Sequence, residues 1–164
     1  MRVLISILAW LSLAVAAEVV VVDDNGQKLH FAEPAKRIIS LAPNITEVLF
    51  YIGAGEKIVG ADEYSNYPEA AKDILRVNNY AAANYELILS LQPDLVIAWQ
   101  SGNGDKIINP LRKLGIPVFV VETQKINEIP SLFRRLGELS GHKGQAEQLA
   151  AAFAARLKDL RVAQ

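Results

Sequence analysis

Apolar and polar positions along this chain follow two rhythms. The clearest stretch is Leu95-Val96-Ile97-Ala98-Trp99, which follows the turn signal Pro93-Asp94 with no polar interruption. Such a run predicts a strand buried on both faces, as in the middle of a parallel sheet. On either side, residues 85–91 and 106–114 have helical spacing, with Leu87, Ile88 and Leu91 sharing one face. A strand set between helices predicts βαβ units. In open sheets of that kind, ligands bind outside the carboxyl ends of the strands. Candidate functional residues are therefore those that follow each strand. After the central strand come Trp99 and the Gly-rich stretch Gln100-Ser101-Gly102-Asn103-Gly104, which reads as a polar loop.

The same pattern extends in both directions. Residues 19–22 and 28–31 are short strand candidates around Asp23-Asp24-Asn25-Gly26, and Asn-Gly between strands predicts a hairpin. Residues 37–41 form a first core strand. Ala42-Pro43-Asn44 then opens a helix, with Asn44 as N-cap and Glu47 completing a capping box. That helix stops at Gly53 or Gly55. A second core strand, 57–61, empties into the polar loop 62–68, which holds Tyr64 and Tyr67. Residues 69–72 suggest a short helix, and 77–83, with Tyr80, have no regular pattern. Asn84 is a good N-cap for the helix at 85–91. Beyond the central strand, a helix ends at Gly115, residues 117–121 form a fourth core strand, and a helix over 129–140 ends at Gly141. From Gln145 onward the chain is rich in strong helix formers, with no stop signal before Gln164.

Composition narrows the classes. A length of 164 residues suits one domain with a proper core. The net charge of -1 gives no footprint for nucleic acid or an anionic membrane. With no cysteine, disulfides, thiol catalysis and cysteine-ligated metals are excluded. The first residues account for part of the 51% hydrophobic content. Met1-Arg2, the apolar stretch 3–15 and the small residues Ala14-Val15-Ala16-Ala17 form a secretory signal pattern over residues 1–17. The run is short of the roughly 20 residues a membrane span needs. The mature protein is expected to be exported and soluble, with no direct membrane anchor.

Candidate catalytic groups are sparse. His30 and His142 lack a spaced metal-ligand partner, and there is no G-x-S-x-G elbow. Gly53-Ala54-Gly55 with Gly60 ends a helix and precedes a strand, the reverse of the order a dinucleotide fingerprint needs. Asn44-Ile45-Thr46 matches a glycosylation acceptor, although capping is the better use of Asn44. No covalent chemistry is expected. The aromatics stand out instead: Tyr64, Tyr67 and Trp99 all follow core strands, and Tyr80 lies between two of them. Any one alone is more often a packed loop anchor. Three on one edge favour a large, partly apolar ligand. Covering half of a ring's ~200 Å² would contribute roughly 2 to 3 kcal/mol per aromatic.

These residues also carry a family likeness. The motifs are Arg37-Ile38-Ile39-Ser40-Leu41-Ala42-Pro43-Asn44 with Thr46-Glu47, Gly60-Ala61-Asp62-Glu63-Tyr64-Ser65-Asn66-Tyr67-Pro68, Asn84-Tyr85-Glu86-Leu87-Ile88, and the stretch from Leu91 to Trp99. Through them the chain resembles the N-terminal half of the vitamin B12 (cobalamin) periplasmic binding proteins. These belong to a wider class, serving siderophores, haem and metals, whose two lobes are joined by one long helix. The likeness runs from about Val19 to the chain end.

The resemblance implies an α/β fold: a parallel-sheet Rossmann-like lobe with flanking helices, preceded by a β-hairpin. It divides the chain into a signal peptide at 1–17, a ligand-binding lobe at 18–143, and the start of a long interlobe helix at 144–164. It implies a monomeric periplasmic substrate-binding component of an ABC importer, with no cofactor and with cobalamin or a related corrinoid as ligand. The ligand-binding set it implies is Tyr64, Tyr80, Trp99, Pro43, Asn44, Ser65 and Tyr67. Tyr64 would lie against the corrin, and Tyr80 stands where the family can carry tryptophan. Glu86 matches an acidic residue that docks on arginines of the permease; it also reads as a first-turn glutamate complementing the helix dipole. Family members continue into a second lobe, whereas this chain stops inside the connecting helix, as a fragment or as a product that pairs with something else. A half-site is expected to bind weakly, since nanomolar affinity needs roughly -12 kcal/mol from both walls. A siderophore- or haem-binding lobe is the alternative within the class. Further rivals are an exported hydrolase lobe and an interaction domain with no ligand.

Overall fold

The computed structural model describes residues 18–79 and 82–162. The signal-peptide segment and Tyr80 lie outside the described residues. A hairpin of β1 (Val19–Val22) and β2 (Lys28–Phe31) leads into the α/β lobe. There follow β3 (Ile38–Ser40), α1 (Pro43–Tyr51), β4 (Ile58–Asp62), β5 (Arg76–Asn78), α2 (Tyr85–Ser90), β6 (Leu95–Trp99), α3 (Gln100–Lys113), β7 (Val118–Val121), α4 (Ile129–Ser140) and α5 (Lys143–Val162). A short 3₁₀ turn, Glu69–Asp73, forms where a short helix is expected.

The five-stranded sheet has the order β5-β4-β3-β6-β7, and every pairing in it is parallel. Alternation along β6 explains its unbroken apolar run. Leu95 and Ile97 face one core, with Ile45 and Leu49 of α1 and Leu132 and Leu136 of α4. Val96 and Ala98 face the other, with Ile88 of α2 and Ile107, Ile108 and Leu111 of α3. With side chains alternating at period two, a strand covered on both faces must be apolar throughout.

The hairpin closes the sheet on the β7 side. Asp23 to Gly26 make a turn, with Gly26 at φ 78 and its N–H donated to the Asp23 carbonyl at 3.0 Å. The Asp24 N–H donates to the Val120 carbonyl (3.0 Å), and the Asp23 carboxylate accepts from the Val120 N–H (3.3 Å). The unpaired edge of β7 is thereby covered, which removes a template for aggregation.

Three local expectations are corrected. Asn44 is not the N-cap of α1: the cap is Ala42, in extended conformation and with no side-chain cap bond, and Pro43 occupies the first turn. Proline's fixed φ and missing N–H suit that position, so the helix starts two residues early and no capping box forms. The stretch Gln100–Asn103 is the first turn of α3 rather than a loop, and a break at Gly104 (φ 61, ψ 174) separates it from the rest of the helix. The segment around Val77 is not irregular, since Arg76–Asn78 pairs with β4 as an edge strand. In contrast, Asn84 caps α2 as expected, its side chain accepting the Leu87 N–H at 3.0 Å.

Helix α5 crosses α4 closely. A Cβ at Gly137 would lie 2.2 Å from the Ala146 Cβ. Gly137→Ala is expected to push the helices apart and cost about 1 to 3 kcal/mol, measured by urea denaturation. Beyond Ala150 the helix leaves the core, and Leu149, Phe153, Leu157 and Leu160 with Ile126 line an apolar groove of ≈ 430 Å³. Among the described residues, no helix is long and apolar enough to cross a membrane.

Candidate ligand-binding site

The strand order places a topological switch at β3. After β3 the chain steps to β4 and β5 on one side, then returns to β6 and β7 on the other. The segments leaving the carboxyl ends of β3 and β6 diverge there, to α1 on one face of the sheet and α3 on the other. A crevice opens where they part, the usual ligand position in such sheets. It is a shallow groove of ≈ 110 Å³ lined by Leu41, Ala42 and Pro43 after β3, Asp62 and Tyr64 at β4, Asn78 at β5, and Trp99, Gly102 and Asn103 at β6. Cavities that enclose a small molecule usually hold about 300 Å³ or more. This surface is one wall, not a container.

Its two rings are presented outward. Tyr64 is 53% exposed and Trp99 39%. Trp99 is held from behind: the Asn103 side chain accepts the Trp99 N–H (2.8 Å) and donates to the Leu41 carbonyl (3.0 Å), tying β6 to β3 across the crevice. The indole lies over Gly102, where an added Cβ would come within 2.3 Å of the ring. Gly102→Ala is therefore expected to displace the indole while leaving the fold intact. Trp99 is the sole tryptophan in a chain starting at Glu18. A shifted emission maximum with an unchanged urea midpoint is the expected result.

The remaining site candidates are distributed unevenly. Pro43 is part of the groove, whereas Asn44 is exposed on α1 and is not among the lining residues. Ser65 is 1% exposed, its hydroxyl donated to the Asp62 carboxylate behind the wall. Tyr67 turns away along α1, where its ring sits 6.4 Å from that of Tyr51, beside Glu47 and Phe50. The hydrogen bond between these phenols, with their mutual repulsion when ionised, raises the pKa of Tyr51 above the ordinary phenol value. Glu86 is exposed in the first turn of α2. Sequence reasoning missed Asn78 and the structural part of Asn103, whose signals were a three-residue strand and a Gly-Asn pair inside a polar run.

The lobe is thus a Rossmann-like α/β unit with aromatic residues at its switch-point crevice. The chain belongs to the periplasmic binding protein family, whose profile matches residues 38–163. It is 41% identical over 128 residues to a vitamin B12-binding protein of Vibrio campbellii, covering 78% of this chain and 46% of that protein. A vitamin B12-binding protein of Yersinia pestis is 40% identical over 130 residues, with 79% and 46% covered. The fold matches the periplasmic vitamin B12 binding protein BtuF of Vibrio cholerae at TM-score 0.75 and 41% identity, over 79% of this chain and 51% of that one. The periplasmic haem-binding protein RhuT of Roseiflexus sp. RS-1 matches at TM-score 0.68 and 29% identity, with 77% and 49% covered. The chain spans about half the length of the curated relatives it matches.

Proposed function

We propose that this chain supplies the N-terminal wall of a periplasmic cobalamin-binding site that serves an ABC importer. The observation that carries this reading is the pairing of Tyr64 and Trp99 on one rim, above an apolar floor of Leu41, Ala42 and Pro43. Flat aromatic faces over an apolar floor suit a broad, rigid macrocycle. Relatives named for vitamin B12 stand at 40–41% identity, which supports cobalamin over haem. The carboxylate of Asp62, in the groove lining, disfavours ligands with carboxylate edges, such as haem and ferric siderophores.

The site residues follow from this assignment. Tyr64 and Trp99 stack on the ligand, Pro43 completes the floor, and Ser65 acts from behind. Asn44 would touch only the ligand's periphery, Tyr67 lies outside the groove on the side of α1, and Tyr80 is proposed as a further ligand contact. Residues 1–17 are proposed as the export signal, 18–143 as the lobe, and the helix from 144 as the link to a second lobe. The apolar face of α5 is a surface such a lobe would cover. Exposed Glu86 is proposed to meet a cationic patch on the permease; Glu86→Lys should weaken association with solubilised permease and leave ligand titration unchanged.

The test is titration of the chain from Glu18 with cyanocobalamin, haemin and a ferric siderophore, followed through Trp99 emission. Saturable quenching by cyanocobalamin with Kd of about 0.1 to 1 mM is expected, given the single wall. Nanomolar binding by the monomer would refute the one-wall account. Preference for haemin would move the chain to the haem branch.

A further inference from the structure

We infer that Thr46 is a positioning residue for Tyr64, acting through Ser65 and Asp62; this rests on reading the rim as a ligand wall. Thr46 is fully buried in α1, where a threonine hydroxyl ordinarily bonds the carbonyl four residues back. That contact, to the Ala42 carbonyl, is long at 3.3 Å. The Thr46 hydroxyl instead donates to the Ser40 Oγ at 2.8 Å and also lies 2.8 Å from the Ser65 Oγ. Ser65 in turn donates to Oδ1 of Asp62, while Oδ2 of Asp62 accepts the Tyr64 N–H at 2.9 Å.

Counting protons gives the chain a direction. A carboxylate only accepts, and a hydroxyl has one proton to give. Ser65 gives its proton to Asp62 and Ser40 gives its own to the Ala42 carbonyl (3.2 Å), so both serine oxygens accept at Thr46 and share its one proton. The Thr46 hydroxyl thus holds Ser65 to Asp62, and Asp62 holds the backbone of Tyr64. Ser40, Thr46 and Ser65 are buried and none of them lines the groove. They affect a ligand only through the pose of the turn that carries the Tyr64 ring. The network joins the end of β3, the first turns of α1 and the loop after β4, so it locks the exposed ring to the most buried part of the lobe.

Amide hydrogen exchange on the chain from Glu18 tests this, using Thr46→Val, which keeps the shape, and Thr46→Ser, which keeps the hydroxyl. Exchange at the Tyr64 amide should quicken about tenfold or more in T46V, with β6 and α4 unchanged, and return in T46S. Ser65→Ala should give the same local quickening, which covers the case of T46V failing to fold. A uniform rise across the lobe would mean a merely structural role and overturn the inference, as would unchanged exchange at Tyr64 or failure of T46S to restore it. Cyanocobalamin titration separates the two claims. If the wild-type chain does not respond, the cobalamin reading falls while exchange still decides the role of Thr46. If it responds and T46V binds equally well, the positioning role is overturned.

Discussion

Replacing Trp99 with alanine is expected to remove measurable cyanocobalamin binding from this chain. Trp99 extends from the end of β6, is 39% exposed, and packs against Gly102 with its backbone fixed by Asn103. Covering one face of such a ring contributes about 2 to 3 kcal/mol, or ~30- to ~150-fold in affinity. On a single wall with sub-millimolar binding, that loss moves the ligand out of range. Equilibrium dialysis with radiolabelled cyanocobalamin measures this without using the tryptophan as reporter. Trp99→Phe keeps a smaller ring and should retain part of the binding. Tyr67→Ala, on the side of α1, should change little. Equal losses at Trp99 and Tyr67 would mean that the ligand lies elsewhere.

A second large effect is expected far from the rim, at Asp23. Its side chain is fully buried and accepts the backbone N–H groups of Asn25 (3.0 Å), Gln27 (2.7 Å) and Val120 (3.3 Å) and the guanidinium of Arg112 (3.3 Å). Removing it strands these donors together. Losing one partner of a buried charged pair costs about 3 kcal/mol or more. Asp23→Ala should lower folding stability by about that amount in urea denaturation. It should also free the hairpin from β7, seen as faster exchange at the Asp24 amide. A loss below ~0.5 kcal/mol, within the range of ordinary surface substitutions, would show that the hairpin is held by its apolar residues alone.

Much of the lobe is legible because its elements bury two faces or end on distinctive residues. The continuous apolar stretch of β6 needs cover on both sides, which implies helices before and after it. Gly141 stops α4 in a left-handed conformation (φ 77), as its position after the amphipathic run implies. The misses share a physical cause: short-range signals competing at one spot. Pro43 and Asn44 both mark a helix start, and the ring-locked φ of proline outweighs a side-chain cap. Arg76-Val77-Asn78 has a single apolar residue, so only pairing with β4 reveals it as a strand. Gln100 to Gly104 is glycine-rich and polar, yet its first turn is helical because Asn103 and Glu122 bind the backbone N–H groups of Trp99 and Ser101.

The candidate site was legible at its two ends and blurred between. Tyr64 and Trp99 follow strands that flank β3, so adjacency on the rim comes from strand order. Tyr67 also follows β4, but the loop bends along α1 and pairs it with Tyr51 instead. Nothing local in the sequence distinguishes these two tyrosines. Ser65 sits between them and turns inward because Asp62 and Thr46 offer it partners there. Hydrogen bonding across 19 residues of sequence is not visible in a linear pattern.

The most direct measurement is NMR mapping of side-chain resonances in the chain from Glu18 as cyanocobalamin is added. The account predicts that the Trp99 indole and Tyr64 ring signals move together and saturate at one ligand concentration, while those of Tyr51 and Tyr67 stay in place. Movement centred on Tyr51 and Tyr67, or on Phe153 in the α5 groove, with Trp99 and Tyr64 unchanged, would contradict it.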